Sequence, residues 1–301
     1  MERGSLHRVR HGYYAESAGW SAAHAEERER ALARTATDAA RLPLVFSHTT
    51  AAALHGLPLV DHVPGRAHVM ARQATSGGSN AAVMRHLDRW DGSAVELDGF
   101  RVTSLARTVV DVARTCRRTT ALACADAALR AVAAVPGTGS LDLGAAERLR
   151  SECRQTLADA RAARGVRAAR EIVELADPRA ESPGESISRL HILDLGFDDV
   201  RVQVAIRVAG GALFRVDLGF AGVLGEFDGR SKYLDPARRG GRTAEQVLLD
   251  EKRREDLIRA ATGQRVLRWG AAEVATRDRF ARFLASHGIR LPRARAARER
   301  Q

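Results

Sequence analysis

The chain has 301 residues, 45% hydrophobic and 28% charged, which suits two soluble globular domains and excludes collagen-like or low-complexity architectures. No apolar run approaches the roughly 18 residues of a bilayer-spanning helix, and the opening MERGSLHRVRHGYY lacks the apolar core of a secretory signal. The formal charge of +11 invites a nucleic-acid partner, yet the 48 basic residues include only two lysines, Lys232 and Lys252.

An arginine- and alanine-rich chain almost without lysine fits compositional drift in a GC-rich genome. The positive excess is diffuse apart from one basic tail, where Arg290–Gln301 carries five arginines against Glu299. Cys116, Cys124 and Cys153 form no CxxC pair and read as reduced thiols of a cytoplasmic protein without a membrane partner.

In the first half, Ser47 is placed to cap a helix through Leu54, with Gly56 as its stop and Pro58 just beyond. Strands are expected at Ala67–Ala71 and Ala81–Leu87. Val95–Leu97 and Phe100–Thr103 flank Asp98-Gly99, a strong hairpin signal. Ser104 then caps a helix carrying Val109, Val110 and Val112, and Ala121–Ala134 reads as another. Pro136–Ser140 is a loop, Leu143–Leu175 reads as one or two helices, and Asp177-Pro178 breaks them. His48, His55 and His62 recur every seven residues, but Gly56 and Pro58 interrupt any helix that would align them. A shared metal site is not expected there.

In the second half, Ser182-Pro183-Gly184-Glu185 opens a helix with proline at the first helical position and capping-box spacing. Val200–Val208 alternates as a strand, Gly210-Gly211 turns it, and Leu213–Phe220 and Val223–Asp228 follow as strands. Thr243–Ala261 reads as a helix, Arg265–Trp269 as a short strand and Ala271–His287 as a last helix. The order is αβββαβα.

A two-residue loop at Ala221-Gly222 would set Asp217 opposite Glu226 and Arg215 opposite Asp228. Period-2 alternation then puts Arg215, Asp217, Glu226 and Asp228 on one face. Phe214, Val216, Leu218, Phe220, Val223, Gly225 and Phe227 fall on the other. Carboxylates placed directly cross-strand repel, and a hard divalent cation with oxygen ligands is the natural compensation. Arg215 neutralising Asp228, with the other acids facing water, is the plainer alternative.

Arg215-Val216-Asp217-Leu218, then Glu226-Phe227-Asp228-Gly229 and Lys232-Tyr233, resemble the PD-(D/E)XK nucleases near the very-short-patch repair endonucleases. The resemblance spans about residues 180–287. It implies a restriction-endonuclease-like αβββαβ core, DNA as partner, and Mg²⁺ or Mn²⁺ held by Asp217 and Glu226. It also implies catalytic assistance from Glu185 on the first helix, although Glu185 serves equally well as the acid of the capping box. The lysine expected two residues after Glu226 is replaced by Asp228, so Lys232 or Lys252 would supply positive charge. Lys252 could instead pair with Asp256 on its own helix. Arg215, Arg253 and Arg254 are the candidate phosphate contacts.

Phe46–Pro58 and Thr103–Asp111 resemble the region after the winged helix of AbiEi-type antitoxin-like proteins, with Leu6–Tyr14 similar to the end of the wing. That implies DNA contact or regulation, with a toxin or defence-system protein as a partner. The winged helix would then be truncated to residues 1–14.

The sequence therefore describes an α/β (α+β) protein. Its expected parts are a mixed α/β antitoxin-like region at 1–135, a helical linker at 136–178, a nuclease-like domain at 179–288 and a basic tail at 289–301. Metal-dependent hydrolysis of phosphodiester bonds in DNA is the expected function. The alternative is a catalytically inactive nuclease fold acting as a DNA-binding regulator.

Overall fold

A computed structural model describes residues 5–71, 78–160, 163–228 and 244–292. Lys232 and the tail from residue 293 onward lie outside them. The chain divides after Pro178 into two units, Met1–Pro178 and Arg179–Gln301, each mixed in helix and strand.

The first unit opens with an antiparallel hairpin of β1 (Leu6–Arg10) and β2 (Tyr13–Glu16), turned at Gly12, whose φ is 81°. Helices α1 (Ser17–Ala22) and α2 (Ala25–Ala39) follow, and α2 buries Leu32, Ala33 and Ala36. Next come α3 (His48–Leu54), a parallel pair β3 (Ala67–Met70) and β4 (Val83–His86), and a hairpin of β5 (Val95–Leu97) and β6 (Phe100–Val102). Asp98 and Gly99 close that hairpin with φ of 48° and 80°, the left-handed pair that such a turn demands. Phe46 lies between β3 and β6: its N–H donates to the Arg101 carbonyl and its carbonyl accepts from Thr103 N–H, at 2.8 and 2.9 Å. Phe46, Val69, Val102 and Leu32 share one buried core.

Ser104 caps α4 (Leu105–Thr115) by accepting from Arg107 N–H at 3.2 Å. Helices α5 (Arg118–Ala133), α6 (Leu143–Asp159) and α7 (Val166–Leu175) complete the unit. The stretch 136–178 was expected to be a linker. Instead α6 and α7 pack on α4 and α5, burying Leu149, Cys153, Leu157, Ile172 and Val173. Their apolar stripes need that surface, so the segment belongs to the first unit. All three cysteines are free, with Cys124 and Cys153 buried.

The second unit runs α8 (Pro183–Asp194), β7 (Arg201–Arg207), β8 (Leu213–Phe220), β9 (Val223–Phe227), α9 (Ala244–Thr262), β10 (Val266–Trp269) and α10 (Arg277–Ser286). One sheet holds the strands in the order β10-β9-β8-β7, with β10 parallel to β9 and the other neighbours antiparallel. The β8–β9 loop is Ala221-Gly222, with φ of 49° and 73°, and Phe220 pairs with Val223 and Leu218 with Gly225. Val216, Leu218, Phe220 and Val223 are buried, as the alternation requires. Ile258 of α9 packs in a cluster with Leu224, Val216, Ile206 and Val208. The last helix is shorter than expected, because Thr276 caps it by accepting from Arg279 N–H, leaving 271–275 as turn. Among the described residues no helix is long and apolar enough to cross a membrane.

Candidate metal-binding cavity of the second unit

The β8–β9 register ends at Leu218 and Gly225, so Asp217 and Glu226 are the next residue on each strand, and both line a cavity of about 320 Å³. Arg215 and Asp228 line it as well, so the four residues assigned to one face of the hairpin do share one surface. The sequence reading missed five further residues of that wall, Glu181, Gln203, Glu251, Arg268 and Phe227, the last expected on the opposite face. Arg268 belongs there because β10 runs parallel to β9 and pairs it with Glu226.

Helix α9 supplies the opposing side by periodicity. Glu251, Arg254 and Ile258 are three and four residues apart and so share a stripe. Ile258 anchors that stripe in the core, and Glu251 and Arg254 reach the cavity. Lys252 and Arg253 fall off the stripe and are exposed, and Arg253 faces Asp250 at 3.9 Å. Of the candidate basic residues, the structure thus brings Arg215 and Arg254 to the acids and leaves Lys252 and Arg253 outside.

Glu226 is held by two guanidiniums: Arg254 Nη1 donates to its Oε1 at 2.6 Å, and Arg268 Nε lies 3.1 Å from Oε2. Asp217 Oδ2 accepts from the Phe227 backbone N–H at 2.9 Å. Among the described residues, buried Asp228 Oδ1 has no hydrogen-bond partner. The wall carries five carboxylates (Glu181, Asp217, Glu226, Asp228 and Glu251) against three guanidiniums. That acidic excess and all-oxygen donor set suit a hard divalent cation. The acids do not converge as a trio, however: among the described residues, three-ligand sets within 4.8 Å occur only around His48. An ion here would be held by fewer than three of these acids, and at Glu226 it would compete with Arg254 and Arg268.

Glu185 does not line this cavity. It is buried at the N-terminus of α8, accepting from Glu181 N–H at 3.0 Å and from Ser182 Oγ at 2.9 Å, while its own N–H donates to Ser182 Oγ. The backbone donor is the residue before the N-cap rather than the N-cap itself, which departs from the expected capping box. Gln203 Nε2, from the cavity wall, also donates to Glu185 Oε2 at 3.1 Å. Glu185 is thus one hydrogen bond removed from the site.

Two proteins of Mycobacterium tuberculosis, from strains CDC 1551 / Oshkosh and ATCC 25618 / H37Rv and each described as uncharacterized, are similar to this chain. Each is 39% identical over 124 residues. The match takes in 41% of this chain and spans 41% of each relative's own length. No protein-family model matches the chain, and no solved structure matches it.

Proposed function

We propose that the second unit is a metal-dependent endonuclease-like domain that hydrolyses phosphodiester bonds in DNA. The observation that carries this reading is the sharing of one acid-rich cavity by Asp217 and Glu226 from adjacent antiparallel strands. The element order and the parallel β10 edge fit a restriction-endonuclease-like core. Asp217 and Glu226 would hold Mg²⁺ or Mn²⁺, and that ion supplies polarisation of a phosphoryl oxygen and an activated water. Arg215 and Arg254 stand where they can receive a phosphate, and Gln203 ties the wall to Glu185. The first unit, in the same reading, contacts DNA or a toxin or defence-system partner.

A second reading is a catalytically silent nuclease fold that binds DNA as a regulator. The pinning of Glu226 by Arg254 and Arg268 favours it, as does an aspartate at position 228 in place of lysine. Purified full chain is incubated with supercoiled plasmid and Mg²⁺ beside Asp217→Asn. Metal-dependent nicking lost in the variant supports the hydrolase. Salt-dependent binding without nicking supports the regulator. Neither binding nor nicking overturns both.

A further inference from the structure

The first unit holds a cluster that no spacing in the sequence announces. Residues 46–48 run alongside β3: the Ser47 N–H donates to the His68 carbonyl at 2.9 Å, which brings His48 next to His68. In the parallel β3–β4 pair, His86 is partnered with Met70, two residues beyond His68, so both imidazoles emerge on one face. His48 stacks on His86 with ring centroids 3.6 Å apart, and His68 Nδ1 lies 2.9 Å from His86 Nε2. One ligand nitrogen from each of the three residues lies within 4.8 Å of the others.

Two features go beyond proximity. His48 is 1% exposed, and its buried Nε2 has no hydrogen-bond partner among the described residues. An orphaned, buried imidazole nitrogen costs desolvation energy that a ligand would recover. The opposite nitrogen is supported: Nδ1 lies 3.0 Å from Ser47 Oγ and 3.7 Å from Asp111 Oδ2. Asp111 is in turn fixed by Arg107 Nε at 2.9 Å. A carboxylate behind one imidazole nitrogen, with the other left free, is the usual outer support of a metal-ligating histidine.

We infer that His48, His68 and His86 form a binding site for a divalent transition metal of the zinc class. Three imidazoles suit Zn²⁺ or its Co²⁺ surrogate and leave a fourth tetrahedral position for water. Metal–nitrogen bonds of about 2.0–2.1 Å put tetrahedral ligands roughly 3.4 Å apart. The His68–His86 pair, 2.9 Å apart, must open slightly to reach that spacing, and the His48 ring, stacked on His86, must turn to aim its nitrogen at the same point. When the metal enters, the proton between His68 and His86 shifts to the other nitrogen of the ring that carries it, so both rings bind as neutral imidazoles and no net proton is lost. Burial, followed for His48 and His86 by the neighbouring imidazoles, lowers the proton affinity of all three rings, so they stand neutral at pH 7. The nearby Arg107 and Arg114 are paired with Asp111 and Asp88, which limits their repulsion of a cation.

The test uses the full chain stripped with EDTA, titrated with Zn²⁺ by calorimetry and with Co²⁺ by visible absorption. His68→Gln and His86→Gln are the variants, because these half-buried positions tolerate an amide better than the buried His48 does. The expected result is one equivalent bound by the wild type, with four-coordinate Co²⁺ bands lacking a thiolate charge-transfer feature. Each variant should lose at least tenfold in affinity. Zn²⁺ should raise the melting temperature of the wild type but not of either variant, whose metal-free far-UV spectra stay unchanged. No stoichiometric binding by the wild type, or undiminished binding by both folded variants, overturns the inference.

Discussion

Arg254 bridges helix α9 to the sheet: one guanidinium nitrogen donates to Glu226 Oε1 and another to the Arg215 carbonyl, both at 2.6 Å. The same side chain therefore locks the helix against β8 and β9 and occupies the carboxylate that a divalent cation would need. Arg254 also rests on the Phe214 ring, 5.6 Å from its centroid, so its stem contributes packing as well as charge.

Replacing it separates these contributions. Arg254→Met keeps the stem and removes the fork. The second unit should lose about 1.5–3 kcal/mol, the range for hydrogen bonds to charged groups. Mg²⁺ should bind the freed site about 2–10-fold more tightly, because one nearby positive charge is gone. Urea unfolding and calorimetric Mg²⁺ titration read the two effects. Unchanged Mg²⁺ affinity would remove Glu226 from the ligand set.

What could be read in advance was local. Ser104, Ser182 and the Asp98-Gly99 and Ala221-Gly222 turns satisfy their own backbone chemistry within a few residues, so their elements lie near where the pattern put them. The acid face followed from strand alternation plus one turn. The rest depends on partners far along the chain. Arg254 reaches the acids and Lys252 does not because Ile258 fixes which stripe of α9 faces inward. Residues 136–178 look polar enough to be a linker until α4 and α5 are present to receive their apolar stripes. His48, His68 and His86 meet through a parallel strand pair, whereas the evenly spaced His55 and His62 turn elsewhere. Those two bond the Thr103 carbonyl and the Glu29 carboxylate, at 2.9 and 2.7 Å.

The histidine cluster also sets a pH dependence. Burial, then His68, lowers His86 from 6.5 to about 4, and burial lowers His48 and His68 too. Below pH 6.5 the unfolded chain binds protons that the native rings refuse, so stability falls as pH drops toward 4. Asp111 acts in the opposite sense. Burial raises it from 3.8 to about 6 against the pull of Arg107, so the native state holds its proton over that window. Three rings outweigh one carboxyl, and the EDTA-treated protein should be less stable at pH 5 than at pH 7. His86→Asn should flatten the slope in urea titrations. Equal slopes in wild type and variant would contradict the assignment.

Glu185 offers a split between structure and chemistry. Its carboxylate accepts from Ser182 Oγ and Glu181 N–H at the start of α8 and from Gln203, so Glu185→Ala should cost roughly 1–3 kcal/mol. Ser182→Ala should cost about 1 kcal/mol. The double variant should cost less than the sum, since both remove the same reciprocal pair. Denaturant midpoints measure this directly, and strict additivity would show that the two residues act apart. Plasmid nicking by folded Glu185→Ala then reports whether the residue matters to catalysis through Gln203.

The cavity's geometry rests on a close approach behind it. Gly225 pairs with Leu218 on β8 and, across the parallel edge, with Leu267 on β10. A Cβ on Gly225 would come within 2.1 Å of Trp269 Cη2, on an indole that Ser188 holds by accepting from its N–H at 2.7 Å. Trp269 also packs edge-on against Phe220 and Phe280, so it has little room to retreat. Gly225→Ala should therefore destabilise the second unit by about 1–3 kcal/mol, the usual cost of overpacking. At about 4–8 °C per kcal/mol for a unit near 100 residues, the melting temperature should drop visibly. On a Trp269→Leu background, where the ring is gone, the same substitution should cost much less. A full-size cost on both backgrounds would mean that strand pairing, not the indole, excludes a side chain at Gly225.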